Sequence, residues 1–165
     1  MKIYLVGMPG SGKTTLGKKV AAELAMNFVD LDQEIETFTG QTIPQIFIEK
    51  GEQHFREIES RLLFEWASAS QSFVMATGGG APCFLNGMEV INKTGLSIFL
   101  DTPVKVLLDR LKEKNDRPLL NAGSDEREKT LIKLLETRMP CYRKARVTVV
   151  NPDMNRLLEA IHFKK

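Results

Sequence analysis

The stretch that most constrains this chain is GMPGSGKT, Gly7 to Thr14, which satisfies G-x-x-x-x-G-K-[ST] without a mismatch. The apolar run KIYLV precedes it. GKTTLGKKVAAELA follows, with Leu16, Val20 and Leu24 recurring at period four. A buried strand, a glycine loop and a helix in that order predict a phosphate-binding loop. Its glycines let the backbone N–H groups of Gly10, Gly12 and Lys13 converge on phosphate oxygens, and the helix aims its positive dipole end at the same anion. Lys13 supplies a mobile cation for the β- and γ-phosphates, and Thr14 a hydroxyl for Mg²⁺. The competing reading, an accidental glycine-rich turn, is disfavoured by the strand and helix on either side. The motif predicts a purine nucleotide and magnesium but does not name the phosphate acceptor. No N/T-K-x-D tetrapeptide for reading guanine is present. At 165 residues the simplest protein with such a loop is a small kinase.

Four more strand candidates follow: NFVDLD, FVMATGGG, LSIFLD and VTVV. Helical patterns separate them. QEIETFTG ends at Gly40, and TIPQIFIEKG starts with Thr42 as N-cap and stops at Gly51. EQHFREIESRLLFEWASA carries an apolar stripe of Phe55, Ile58, Leu62 and Trp66. VKVLLDRLKEK, REKTLIKLLETRMPCYRK (disturbed at Pro140) and NRLLEAIHF complete the set. Strands alternating with helices predict an α/β fold with a parallel sheet covered on both faces. Ligands then bind beyond the carboxyl ends of the strands. The Gly7 loop, Asp30 and Asp32, and Gly78 to Gly80 all fall there. Read as a strand, NFVDLD sets Asp30 and Asp32 on one face.

Composition narrows the partners. With 42% hydrophobic and 27% charged residues and no linker or repeat, residues 1–165 predict one globular domain. A net charge of +2 gives no bulk signature for nucleic acid or membrane. No apolar run reaches the roughly 18 residues of a membrane helix, and no signal peptide is expected. Cys83 and Cys141 lack ligand-like spacing and read as ordinary thiols in a reducing cytosol.

A kinase must also position an acceptor hydroxyl in line with the γ-phosphate. Asp30 and Asp32 qualify by position: one carboxylate to hold magnesium through water, the other to orient the hydroxyl. Asp32 also reads as a helix N-terminal carboxylate. Arg56, with Glu52 at i−4 and Glu59 at i+3, is either an intrahelical ion pair or a guanidinium gripping a substrate carboxylate, steadied by Glu59. The glycines of TGGG admit a close backbone approach, or form a plain turn before Pro82. Arg117, in NDRPLL, either closes over phosphates or is a solvated loop charge. Arg138, late on its helix, is a candidate for the same site or a cation favouring the helix C-terminus.

The ordered set GMPGSGKTT, DLD, FREIE, TGGG, DRPLL and TRMPCYR resembles the shikimate kinases over nearly the whole chain. The resemblance implies a nucleoside-monophosphate-kinase type of fold, three layers α/β/α, with sheet order 2-3-1-4-5. It implies an acceptor-binding region at about 31–60 and a lid loop at about 112–124. The implied reaction is transfer of the ATP γ-phosphate to the 3-hydroxyl of shikimate, in aromatic amino acid biosynthesis. The implied ATP contacts are Gly10, Ser11, Gly12, Lys13, Thr14 and Thr15, with Arg110, Asn151 and Pro152 towards adenine and Arg117 on the phosphates. Thr14 and, through water, Asp30 resemble the magnesium site. Asp32 resembles the residue that binds shikimate hydroxyls and acts as candidate base. Arg56 and Arg138 resemble the pair on the shikimate carboxylate, Glu59 supports Arg56, and Gly78, Gly79 and Gly80 resemble the loop at the hydroxyls. Phe47 and Phe55 would flank the ring. A cytoplasmic monomer with no nucleic-acid or membrane partner is expected. A kinase for another hydroxy acid and a non-catalytic nucleotide module are the rivals; the DLD pair and the intact Lys13, Thr14 and Asp32 argue against them.

Overall fold

The structure, a computed structural model, describes residues 1–112 and 124–163. The elements are β1 (Lys2–Val6), α1 (Lys13–Glu23), β2 (Asn27–Asp30), α2 (Leu31–Thr39), α3 (Ile43–Ser68), β3 (Phe73–Ala76), a 3₁₀ turn (Ala81–Cys83), α4 (Gly87–Thr94), β4 (Leu96–Asp101), α5 (Val104–Lys112), α6 (Ser124–Tyr142), β5 (Val147–Val150) and α7 (Met154–His162). The five strands form one parallel sheet in the order β2-β3-β1-β4-β5. This is the architecture the alternating pattern and the resemblance predict.

Side chains alternate across the pleat and divide the core in two. Ile3, Leu5, Val74, Ile98 and Leu100 face α1 and α7, where Val20, Leu157 and Ile161 meet them. Tyr4, Val6, Met75 and Phe99 face the opposite way, onto Ile35, Leu63, Ile91, Leu107 and Leu131 from α2 to α6. Both faces are dry, so the central strands read as continuous apolar runs. Among the described residues no helix is long and apolar enough to cross a membrane.

Three local expectations change. β2 ends at Asp30, not Asp32, and α2 begins at Leu31. The Asp30 carboxylate accepts the N–H of Asp32 at 3.2 Å, an N-cap that turns the chain into helix. Asp30 and Asp32 therefore do not share a strand face. The two helices expected around Gly51 form one element, α3, kinked where Gly51 adopts φ 83° and ψ 171°. Thr42 and Gln45 close a capping box at its start. Finally, α6 runs past Pro140 to Tyr142, whose hydroxyl donates to the Gly79 carbonyl at 2.6 Å and ties the helix end to the body of the fold.

Because every strand points the same way, the loops after β1, β2, β3, β4 and β5 leave from one edge of the sheet. The phosphate loop, the Asp30 cap, Gly78 to Gly80 and Asn151 all lie along that edge, with Asp30 and Asn151 at its two ends.

Candidate active site

The phosphate loop begins where β1 ends. Gly10 and Gly12 take φ values of 83° and 94°, a left-handed region that favours glycine, and Gly12 caps α1. Ser11 is buried; its N–H donates to Met8 O at 3.1 Å, and the Thr102 hydroxyl donates to its carbonyl at 3.3 Å. Its own Oγ is buried with no protein partner, an orphaned donor in the wall of an anion cradle. The Lys13 ammonium donates to the carbonyls of Gly7 (2.8 Å) and Met8 (2.9 Å), so it lies across the loop. Arg110, on α5, donates to the Gly10 carbonyl at 3.0 Å and brings a second cation to the same loop. Thr15 is exposed in the first turn of α1.

Thr14 and Asp30 meet. The Thr14 hydroxyl donates to one Asp30 oxygen at 2.8 Å while the other holds the N-cap of α2. A hydroxyl beside a carboxylate offers hard oxygen ligands, a fit for magnesium rather than a soft metal. Among the described residues no three His, Cys, Asp or Glu side chains cluster as a metal cage. A cation held here would take most of its ligands from phosphate and water.

Next to this cradle, Gly78, Gly79 and Gly80 form a wall with no space for side chains. A Cβ on Gly78 would lie 2.5 Å from Glu59 Oε1 and 2.9 Å from Asp32 Oδ1. One on Gly79 would lie 3.0 Å from an Arg138 nitrogen and 3.1 Å from Pro9 of the phosphate loop. One on Gly80 would overlap the Arg56 guanidinium. Two carboxylates and two guanidiniums thus converge on three consecutive glycines, with the phosphate loop touching the middle one.

The charges in this cluster are set by burial. Arg56 NH1 donates to Glu59 Oε2 at 2.7 Å, and its Nε and NH2 reach Glu52 Oε1 at 3.3 and 3.1 Å. Both intrahelical pairs are therefore made, and the guanidinium also faces Gly80. The Glu59 side chain is 2% exposed and its Oε1 has no hydrogen-bond partner among protein atoms. Burial pushes its carboxyl up to about 6, against the pull of Arg56 and Arg138 and with a further push from Asp32. Arg138 is itself buried at 8%. Phe47 and Phe55 pack with centroids 4.7 Å apart and their planes tilted by 39°, and Phe55 lies against Arg56. Asn151 stands after β5 with φ 48°, its N–H donating to Asp101 O at 3.0 Å, and Pro152 follows it into the cap of α7. Arg117 and nearly all of the expected lid loop lie outside the described residues.

Two residues of this site were not singled out by sequence. Tyr142 supports Gly79 through its hydroxyl and stacks on Phe99 at 5.1 Å. Its signal was its place in TRMPCYR. Phe84 packs its ring on Arg56 at 4.3 Å. Nothing in its local sequence pointed there, because the contact joins a loop after β3 to α3.

Known proteins resemble this chain over most of its length. The family model for shikimate kinase matches residues 9–161. The shikimate kinase of Phocaeicola vulgatus is 46% identical over 147 residues, covering 88% of this chain and 83% of that protein. Among solved structures, the shikimate kinase of Acinetobacter baumannii in complex with shikimate superposes with a TM-score of 0.90 at 40% identity, over 99% of this chain and 94% of that one. The enzyme of Bacteroides thetaiotaomicron gives 0.89 at 38%, over 99% and 96%.

Proposed function

The chain belongs to the shikimate kinase family: it is an ATP-dependent kinase acting on shikimate, and from that premise we propose which of its residues do the work. The observation that carries the assignment is the meeting of Asp32, Glu59, Arg56 and Arg138 on the Gly78–Gly80 wall, one residue contact from the phosphate loop. Arg56 and Arg138 take the shikimate carboxylate, because two guanidiniums can hold a planar anion by several charged hydrogen bonds. The ring then lies along the glycine wall, near Phe47 and Phe55. Asp32 accepts a hydrogen bond from the 3-hydroxyl and orients its oxygen towards the γ-phosphate; as the bond to phosphorus forms, the hydroxyl proton passes to Asp32 or onward to solvent.

On the nucleotide side, Gly10, Ser11, Gly12 and Lys13 bind the phosphates by backbone N–H groups, with Thr15 beside them. The Lys13 ammonium exchanges its contacts with Gly7 and Met8 for phosphate oxygens. Arg110, and Asn151 with Pro152, lie on the side where the base would rest. Thr14 and Asp30 would hold magnesium, Asp30 through water. When bound, that ion would supply charge neutralisation on the β- and γ-phosphates. Positioning two reactants in line, in a site already charged for them, supplies most of the acceleration.

A near-neutral charge of +2 supports a protein with no nucleic-acid or membrane partner. A cytoplasmic monomer suits a reaction that consumes ATP on a small acid. A coupled assay of ADP release tests the function: release should require shikimate and should be slow with quinate or gluconate. Release that ignores shikimate, or runs as fast on gluconate, would remove the assignment.

A further inference from the structure

Phe84 is 41% exposed, so burial in the core does not account for an aromatic ring there. Its ring lies over the Arg56 guanidinium at 4.3 Å, closer than Phe55 at 5.0 Å. The edges of that guanidinium are held by Glu52 and Glu59, and Gly80 leaves no room for a Cβ beside it. Carboxylates at its edges fix which nitrogens point where. A ring centred near Cζ adds a contact on the face of the guanidinium, where no carboxylate lies, and so resists its tilting out of the plane of those bonds.

The segment carrying Phe84 is built with unusual backbone. Cys83 N–H donates to Gly80 O at 2.7 Å and Gly87 N–H to Phe84 O at 2.8 Å, folding the segment back on the glycine wall. Leu85 and Asn86 follow with φ of 45° and 60°, left-handed values costly for a non-glycine residue such as leucine. Gly87 packs on the Ala81 carbonyl with no room for a side chain. Asn tolerates the left-handed region and Asn86 also starts α4, so the costly residue is Leu85, directly after Phe84.

We infer that Phe84 is a positioning residue for the acceptor: its ring holds the plane of the Arg56 guanidinium against Gly80, so that Arg56 meets the acid group of the substrate edge-on. The inference rests on the reading of Arg56 as a carboxylate ligand. Losing the ring lets Arg56 tilt, which weakens acceptor binding and leaves the chemistry of a bound complex in place.

Steady-state kinetics on Phe84→Leu, Phe84→Tyr, Arg56→Ala and the Phe84→Leu/Arg56→Ala double variant test this. Phe84→Leu should raise the KM for shikimate about 3- to 30-fold, the span of a cation–π contact from exposed to desolvated. Its kcat and its KM for ATP should stay near the parent's, and Phe84→Tyr, which keeps the ring face, should bring the shikimate KM back. In the Arg56→Ala background Phe84→Leu should add no further rise. An unchanged shikimate KM in Phe84→Leu, beside a raised one in Arg56→Ala, overturns the role of Phe84 alone. An unchanged KM in Arg56→Ala removes Arg56 from the carboxylate and this inference with it. An equal rise in both backgrounds, or kcat and both KM values moving together with a lowered Tm, also overturns it.

Discussion

Replacing Glu59 by glutamine should stabilise the protein relative to its parent as pH rises, although it removes one partner of a 2.7 Å ion pair. The Glu59 carboxyl is raised from 4.5 to about 6, so the native state binds its proton more tightly than the unfolded chain does. A raised folded-state value means stability present below pH 4.5 and lost as pH rises through 6. That difference corresponds to about 2 kcal/mol. About half of it develops between pH 5 and pH 8. Glutamine does not titrate, so other ionisable groups cancel when the two proteins are compared at both pH values. Urea unfolding of parent and Glu59→Gln at pH 5 and pH 8 should show the variant gaining about 1 kcal/mol on its parent across that interval. In a domain of this size that is about 2–4 °C in Tm. A gain of zero, or a parent that gains on the variant, would refute the balance drawn here, in which desolvation of Glu59 outweighs its attraction to Arg56 and Arg138. The same variant should bind shikimate more weakly. On this account the pair is kept for the orientation of Arg56 and costs stability.

Asp32→Asn should lower kcat by about 10²- to 10⁴-fold, the range for a lost acid–base group, with ATP affinity nearly unchanged. Turnover close to the parent's in a direct kinetic assay removes Asp32 from the acceptor. Thr14→Val loses the hydroxyl that bonds Asp30 at 2.8 Å, and a titration of rate against magnesium should show a higher half-saturation point. An unmoved magnesium curve would detach Thr14 from the cation. Gly80→Ala puts a methyl where the Arg56 guanidinium lies. The far end of a flexible side chain can give way, so the protein should fold, and the shikimate KM should rise about tenfold or more for a displaced charged hydrogen bond. A parent-like KM would show that Arg56 need not lie against this wall.

The phosphate half of the site was legible because its chemistry is local. The roles proposed for Gly10, Gly12, Lys13 and Thr14 use neighbouring backbone groups and one helix end, so their spacing in the chain is their spacing in space. The layers and the parallel sheet were legible for the same reason: apolar periodicity reports which face of each element must be dry. Element ends were less so. Asp32 read as a strand residue because the alternation continues through Leu31, but the Asp30 carboxylate caps α2 at that point, and a side-chain hydrogen bond outweighed the pattern. Arg56 illustrates the other limit. Its ion pairs to Glu52 and Glu59 were visible as helical spacing, and both exist. That its guanidinium also lies against Gly80 and under the ring of Phe84 follows only from how α3 packs on the loop after β3.

By itself the sequence determined an α/β fold of ATP-dependent kinase type and, through an ordered set of short motifs, the family. Tertiary structure decided the rest: which carboxylate is buried enough to titrate near 6, which glycines stand against which arginines, and which exposed ring touches the acceptor machinery. The physical reason is common to all three. Desolvation, close approach and cation–π contact depend on distances through space between elements far apart in the chain, and no local pattern of residue types encodes those distances.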